Sequence, residues 1–319
     1  MRLLISRPLP ERVVAAARAD FDVTLRESTA PMRAEEVAAA LREQDVVIPT
    51  LGDRFDAVAF ATVRRPRVRL LANFGVGYNH IDVAAAQAAG VAVTNTPGAV
   101  TDATADVALM LMLMTARRAG EGERMVRAGA WPGWHPTQLL GLHMSGKVLG
   151  VVGMGRIGQA IARRAHFGFG MAVVYHTRTP RRLPDLPAAR ALPSLRAVMA
   201  AADIVVLAVP ASAETHHLVD AGALAAMRPH AHLVNIARGD VVDEAALIAA
   251  LREGRIAGAG LDVYEHEPLV PEALRAMENV VLLPHIGTAA LEVREAMGMM
   301  ALENALAFRD GRALPNAVD

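Results

Sequence analysis

The chain has 319 residues, 53% of them hydrophobic and 21% charged, and its 33 Lys and Arg balance 33 Asp and Glu. This is a globular, enzyme-like composition with length for two domains and a substantial core. It lacks the basic excess that binding to nucleic-acid phosphates requires, and with no Cys it excludes disulfides, thiolate metal sites and a cysteine nucleophile.

The first residues offer no signal-peptide core before Arg7 and Pro8. The longest apolar run, Val107–Met114, falls far short of the roughly 20 residues that cross a bilayer. A cytoplasmic protein is expected. Lys147 is the only lysine, so Schiff-base chemistry would rest on it alone.

Short apolar runs alternate with Ala-rich helical stretches, the pattern of parallel sheets flanked by helices. Residues 2–6, 22–25, 45–49, 68–73 and 91–95 read as strands, with helices over 10–19 and, opened by Pro31, 31–43. Thr101 or Asp102 caps a long helix through Arg118, apolar on nearly all sides and expected to be buried between two units. After a Trp-, Gly- and Pro-rich loop over 129–136, a second series of strands falls at 148–152, 172–175, 204–209, 232–236, 258–262 and 280–283. A final helix over 289–308 has no strand after it, so it is expected to return to the first domain.

Gly153-Met154-Gly155-Arg156-Ile157-Gly158 lies between the strand at 148–152 and a helical stretch over 159–166. Glycines permit the tight turn and close approach of a pyrophosphate, and the helix N-terminus presents N–H groups to it. Gly153, Gly155 and Gly158 therefore point to a dinucleotide. The acid that reads an adenosine ribose is expected about 20 residues further on. This chain has instead His176-Thr177-Arg178-Thr179, with no acid until Asp185. Arg178 with Thr177 or Thr179 suits a 2′-phosphate, so NADP(H) is expected to be preferred, with NAD(H) an alternative.

Three polar residues follow strands of the second series: Arg238, Glu267 and His285. An Arg fork holds a carboxylate, a His exchanges a proton near neutral pH, and a carboxylate beside the His fixes its tautomer. These are the needs of 2-keto acid reduction.

The glycine turn, Asn235-Ile236-Ala237-Arg238-Gly239-Asp240, Gly260-Leu261-Asp262-Val263-Tyr264 leading to Glu267-Pro268, and Pro284-His285-Ile286-Gly287 occur in order along the chain. In these motifs the sequence resembles the D-isomer-specific 2-hydroxyacid dehydrogenases. The resemblance implies an α/β fold of two Rossmann-like, doubly wound parallel-sheet domains. Residues 1–98 with 286–319 would form a discontinuous substrate-binding domain, and 99–285 the dinucleotide-binding domain. It implies that Arg238 binds and polarises substrate, that Glu267 supports His285, and that His285 donates the proton to the 2-oxo group.

In Asn73-Phe74-Gly75-Val76-Gly77-Tyr78, the resemblance implies that Val76 and Gly77 hold the substrate carboxylate through their main chains, with Leu51 also near substrate. Val76, Thr104, Arg156, Ile157, His176, Val209, Pro210, Thr215, Ala237, Asp262, His285 and Gly287 match cofactor-side positions, although Asp262 equally suits a structural cap. Trp131-Pro132-Gly133-Trp134-His135-Pro136 is similar to glyoxylate and hydroxypyruvate reductases, which implies a homodimer with Trp134 reaching the partner's active site. The alternative is that both Trp residues only pack a surface.

Glu267, where related formate dehydrogenases carry an amide, argues against formate oxidation, and a regulatory domain of the phosphoglycerate dehydrogenase kind has no room. The alternatives kept are a dehydrogenase for another 2-hydroxy acid and a dinucleotide-sensing, corepressor-like binder. His216-His217 and the pair His230 and His232 read as surface or capping histidines, so no metal is expected; the charge balance and the short apolar runs leave no nucleic-acid or membrane partner expected either.

Overall fold

The computed structural model describes residues 1–179 and 181–318. They form two compact units, Met1–Val100 with Thr288 onward, and Thr101–Gly287.

The first unit runs β1 (Arg2–Ile5), α1 (Glu11–Asp20), β2 (Asp22–Leu25), α2 (Ala34–Glu43), β3 (Val46–Ile48), α3 (Ala57–Thr62), β4 (Leu70–Ala72), α4 (Val83–Ala88) and β5 (Ala92–Thr94). All five strands are parallel, in the order β2-β1-β3-β4-β5. Central strands such as Val46-Val47-Ile48 are buried throughout because helices cover both faces of the sheet. Helix α2 begins three residues after the expected Pro31, because Glu36 accepts the Arg33 N–H at 2.8 Å while the Met32 N–H is taken by Asp53 at 2.9 Å. The short helices α3 and α4 escape a reading by periodicity, and the Asp56 and Asp82 side chains start them by accepting the Ala59 and Ala85 N–H groups.

The second unit runs α5 (Thr101–Ala116), α6 (Ala119–Arg127), β6 (Val148–Val152), α7 (Arg156–Phe169), β7 (Ala172–His176), β8 (Arg190–Ala191), α8 (Leu195–Ala201), β9 (Ile204–Leu207), α9 (Ala221–Ala225), β10 (His232–Asn235), α10 (Glu244–Arg252), β11 (Gly258–Leu261), α11 (Glu272–Arg275) and β12 (Val280–Leu282). Its parallel sheet has the order β12-β11-β10-β9-β6-β7-β8. The chain extends one way from β6 through β7 and β8 and then resumes on the other side with β9. Ligands of open α/β sheets bind at the carboxyl ends of the strands at such a reversal. Helix α5 is buried on most sides against α7, β10 and β11. The last helix, α12 (Leu291–Arg309), returns to the first unit and packs on α1 and β4. A Cβ on Gly298 would lie 2.6 Å from a Val13 methyl, so α12 and α1 are in near-backbone contact there.

Three further details differ from the sequence expectation. The helix expected through Arg118 stops at Ala116, and Arg118 adopts a left-handed φ of 53° before α6 begins. No Gly or Pro marks this break. It is held by the Arg118 guanidinium on Glu121 and by the Leu142 N–H on the Ala116 carbonyl at 2.7 Å. Strand β8 is two exposed residues recruited by pairing with β7, too short to show a pattern. His232 is a correction: it is 6% exposed at the start of β10, and only His230 is a surface histidine, bonded to Asp203 at 2.8 Å. Among the described residues no helix is long and apolar enough to cross a membrane.

Candidate active site

Arg238, Glu267 and His285 follow the carboxyl ends of β10, β11 and β12, three adjacent strands. Asn235 shapes the first turn: its side chain accepts the Ala237 N–H at 3.0 Å and donates to the Arg238 carbonyl at 2.8 Å. Gly239 follows because a Cβ there would fall 1.8 Å from the Tyr264 carbonyl carbon. The Arg238 guanidinium donates to the Ala237 carbonyl at 2.7 Å. Burial pulls its pKa down, and the charges of Glu267 and Asp240 oppose the shift. A guanidinium remains a cation under that influence.

Glu267 Oε2 lies 2.8 Å from Nδ1 of His285, and Glu267 Oε1 accepts the Tyr264 N–H at 3.0 Å. Burial drives the Glu267 pKa up. The bond from His285, that ring's charge, the Tyr264 N–H and the Arg238 charge outweigh it, so the carboxyl sits below its ordinary value. The His285 and Glu267 side chains are 28% and 29% exposed, which leaves them reachable by a ligand while largely withdrawn from water.

His285 has a left-handed φ of 54°, a conformation that a non-glycine residue keeps only when its surroundings impose it. The restraint is Asp262, 2% exposed, whose two oxygens accept the Ile286 and Gly287 N–H groups at 2.7 and 2.8 Å. Burial raises its pKa in spite of those bonds and of the His285 charge. Asp262 thus clamps the turn that carries His285. Gly287 packs beside Asp262 and Thr104, the Thr104 hydroxyl lying 3.6 Å from where its Cβ would stand.

Each glycine of the 153–158 turn has its own reason. Gly153 has a φ of 96°, and its Cβ would meet the Ala208 carbonyl oxygen at 2.6 Å. A Cβ on Gly158 would meet the Gly153 carbonyl oxygen at 2.1 Å. Gly155 has an ordinary φ of −76° and open space where its Cβ would be. The chain itself does not require glycine at 155. As N-cap of α7 it supplies no side-chain cap, which leaves Arg156, Ile157 and Gly158 at a helix start suited to an anion. These residues fit the pyrophosphate of a nicotinamide dinucleotide.

On one side of this turn, His176 ends β7 with Nδ1 3.1 Å from the Leu192 carbonyl oxygen, followed by Thr177, Arg178 and Thr179. On the other side, the loop after β9 is tied by Thr215, whose Oγ1 donates to the Pro210 carbonyl and accepts the Ser212 N–H, both at 2.8 Å. Val209 is half-buried and Pro210 exposed. Arg178 forms an ion pair with Glu214 of this loop, and Asp185 pairs with Arg163.

Leu51, Val76 and Gly77 belong to the first unit. Asn73 Nδ2 donates to the Gly75 and Gly77 carbonyls, the Thr96 N–H also takes the Gly75 carbonyl, and Asn95 takes that of Val76. With these carbonyls engaged, the Val76 and Gly77 N–H groups lie on the opposite edges of their peptide planes. Neither donates to an acceptor among the described residues. Leu51 sits on a turn organised by buried Asp53, which accepts bonds from Ser6, Met32 and Thr50. Trp134 is 79% exposed, and Trp131 donates to Gln138.

Sequence reasoning did not single out Tyr264, Asp53 or Glu265. Besides its N–H on Glu267, Tyr264 donates its hydroxyl to the Leu283 carbonyl at 2.9 Å, two residues before His285. Glu265 accepts from His217 at 2.8 Å and so fastens the segment carrying Glu267 to the chain after β9. These are pairings between distant segments, which no local spacing reveals. Among the described residues no group of three or more His, Cys, Asp or Glu is placed to hold a metal ion.

The family model described as D-isomer specific 2-hydroxyacid dehydrogenase, NAD binding domain, matches residues 109–287. The chain is 43% identical over 322 residues to a glyoxylate reductase of Thermococcus onnurineus, covering 100% of this chain and 96% of that protein. It is 43% identical to one of Pyrococcus furiosus, over 100% and 95%. A crystal structure of a Thermus thermophilus protein superposes over 100% of both chains with a TM-score of 0.92 and 44% identity. An NADPH-dependent glyoxylate/hydroxypyruvate reductase of Sinorhizobium meliloti, solved with NADP and malonate, superposes with a TM-score of 0.88 and 38% identity over 99% of this chain and 96% of that one. With a dinucleotide turn, a His–Glu pair and a half-buried Arg on a doubly wound sheet, the chain is an oxidoreductase that uses a nicotinamide dinucleotide, and it belongs to the D-isomer specific 2-hydroxyacid dehydrogenase family.

Proposed function

We propose that the chain reduces a short 2-keto acid, glyoxylate or hydroxypyruvate, to the D-2-hydroxy acid, with NADP(H) preferred over NAD(H). The observation that carries this reading is the hydrogen bond between Glu267 and Nδ1 of His285, next to half-buried Arg238. The relatives named as glyoxylate and glyoxylate/hydroxypyruvate reductases support the substrate class.

A bound nicotinamide dinucleotide supplies the hydride for C2. Gly153, Gly155, Arg156, Ile157 and Gly158 hold its pyrophosphate, and Arg178, Thr177 and Thr179 its 2′-phosphate. The remaining chemistry belongs to side chains and amides of this chain. Glu267 keeps the hydrogen on Nδ1 of His285 and supports the ring's positive charge, so Nε2 delivers the proton to the carbonyl oxygen. The Arg238 fork holds the substrate and stabilises developing oxyanion charge, and the Val76 and Gly77 amides receive the substrate carboxylate. Thr104, Val209, Pro210, Ala237 and Gly287 border the nicotinamide side, and Asp262 holds the catalytic turn. We further infer a homodimer in which Trp134 covers the partner's substrate. Its exposure in the single chain supports this, and sedimentation together with Trp134→Ala kinetics tests it.

The deciding experiment follows reduced-nicotinamide absorbance with glyoxylate and hydroxypyruvate, NADPH against NADH. Faster oxidation of NADPH is expected. A preference for NADH overturns the cofactor assignment and leaves the reductase reading in place, and no oxidation with either cofactor overturns the substrate assignment.

A further inference from the structure

The ion pair between Arg178 and Glu214 joins two loops that flank the glycine turn. β7 and β9 are the two neighbours of β6, and their carboxyl ends lead to Arg178 and to Glu214 respectively. The pair therefore spans the carboxyl end of β6, where the glycine turn begins and where the adenosine part of a dinucleotide must lie. The position after β7 that would offer an acid to an adenosine ribose holds Arg178, yet the fold brings a carboxylate to the same place from the loop after β9. Glu214 is held there by a fixed loop: Thr215 is 8% exposed, and the Thr215 and His216 N–H groups both bond to the Ser212 carbonyl at 3.0 Å.

We propose that Glu214 is a cofactor-specificity residue, a counter-ion that occupies Arg178 and sets the selectivity for the 2′-phosphate. The inference rests on the NADP(H) reading above. A 2′-phosphate that binds Arg178 takes the place of the Glu214 carboxylate and lies close to its negative charge, so Glu214 opposes the phosphorylated ribose. A ribose with a free 2′-hydroxyl carries no charge for Glu214 to repel and leaves the ion pair intact. Glu214 thus narrows the gap between the two cofactors that Arg178 opens.

The test is calorimetric titration of 2′,5′-ADP and 5′-AMP, which differ only in the 2′-phosphate, into the wild-type protein, Glu214→Gln, Arg178→Ala and the double variant. Arg178 and Glu214 are 74% and 70% exposed, so neither substitution touches the core, and thermal melting verifies the fold. Glu214→Gln is expected to tighten 2′,5′-ADP by about twofold to fivefold and to change 5′-AMP less than about 1.5-fold, the scale of exposed charge interactions. In the Arg178→Ala background the gain from Glu214→Gln is expected to change by at least about twofold, because the two groups act on each other. If Arg178→Ala weakens 2′,5′-ADP while Glu214→Gln leaves it unchanged or weaker, the role of Glu214 is overturned and the NADP(H) reading stands. If the wild-type protein binds 2′,5′-ADP no more tightly than 5′-AMP and Arg178→Ala changes neither, both are overturned.

Discussion

Glu267 Oε2 meets His285 at Nδ1, 2.8 Å away, and so leaves Nε2 as the ring nitrogen that the carboxylate does not engage. With the carboxyl held below its ordinary value, the partner of the ring is an anion over the whole neutral range. Replacing His285 by Ala is expected to lower the reduction rate by roughly 100-fold or more, as loss of a general acid does. Glu267→Gln keeps a hydrogen-bonding group without the charge, and a smaller loss is expected. Steady-state rates across pH check both, since reduction needs the protonated ring and oxidation the neutral one. Near-normal turnover of His285→Ala would refute the assignment.

Tyr264 holds both members of that pair, through its N–H on Glu267 and its hydroxyl on the Leu283 carbonyl. Tyr264→Phe keeps the first bond and removes the second. The loss of this half-buried hydrogen bond costs about 0.5–1.5 kcal/mol, and the turn carrying His285 loosens. The expected result is a several-fold fall in kcat with an unchanged KM for cofactor, together with a lower Tm. An unchanged kcat with only the lower Tm would reduce Tyr264 to a packing role.

The glycine turn offers a contrast between two methyl groups. Gly155→Ala adds a methyl to open space at an ordinary backbone angle, whereas Gly158→Ala drives one into the Gly153 carbonyl oxygen. Gly155→Ala is expected to keep the wild-type Tm and weaken dinucleotide binding at least about tenfold through steric exclusion at the pyrophosphate, a loss of about 1.4 kcal/mol. Gly158→Ala is expected to lower the Tm itself. Calorimetric binding and thermal melting of the two variants separate the effects.

Burial, with a smaller contribution from the His230 charge, pulls the His232 pKa down from 6.5 to about 4. Between those values an unfolded chain takes up a proton that the native imidazole refuses, so this residue's contribution to stability is present above pH 6.5, falls as pH drops, and levels off below about 4. The loss amounts to as much as about 3 kcal/mol. His232→Leu is expected to flatten the stability profile over that window in urea unfolding at several pH values. An unaltered profile would show that another group governs it.

The residues proposed to act at the candidate site were legible where they closely follow a strand in the chain. Arg238, Glu267 and His285 each follow a strand closely, and the Gly153–Gly158 turn lies between a strand and a helix. Alternation of apolar strands with helices, a local property of apolar spacing, pointed to parallel sheets flanked by helices, while the two doubly wound domains came from the resemblance and the return of the final helix from the lack of a strand after it.

Tertiary structure decided what depends on segments far apart in the chain meeting in space. Asp262 clamps the amides after His285, 24 and 25 residues on. Asp53 gathers Ser6, Met32 and Thr50, and Glu214 crosses from the loop after β9 to Arg178, 36 positions away in the chain. Residue order along the chain sets which groups are available and at which strand ends they emerge. Which carboxylate neutralises which cation was decided by sheet order, because β6 lies between β7 and β9 and hydrogen bonds and ion pairs act over a few ångströms of space regardless of separation along the chain.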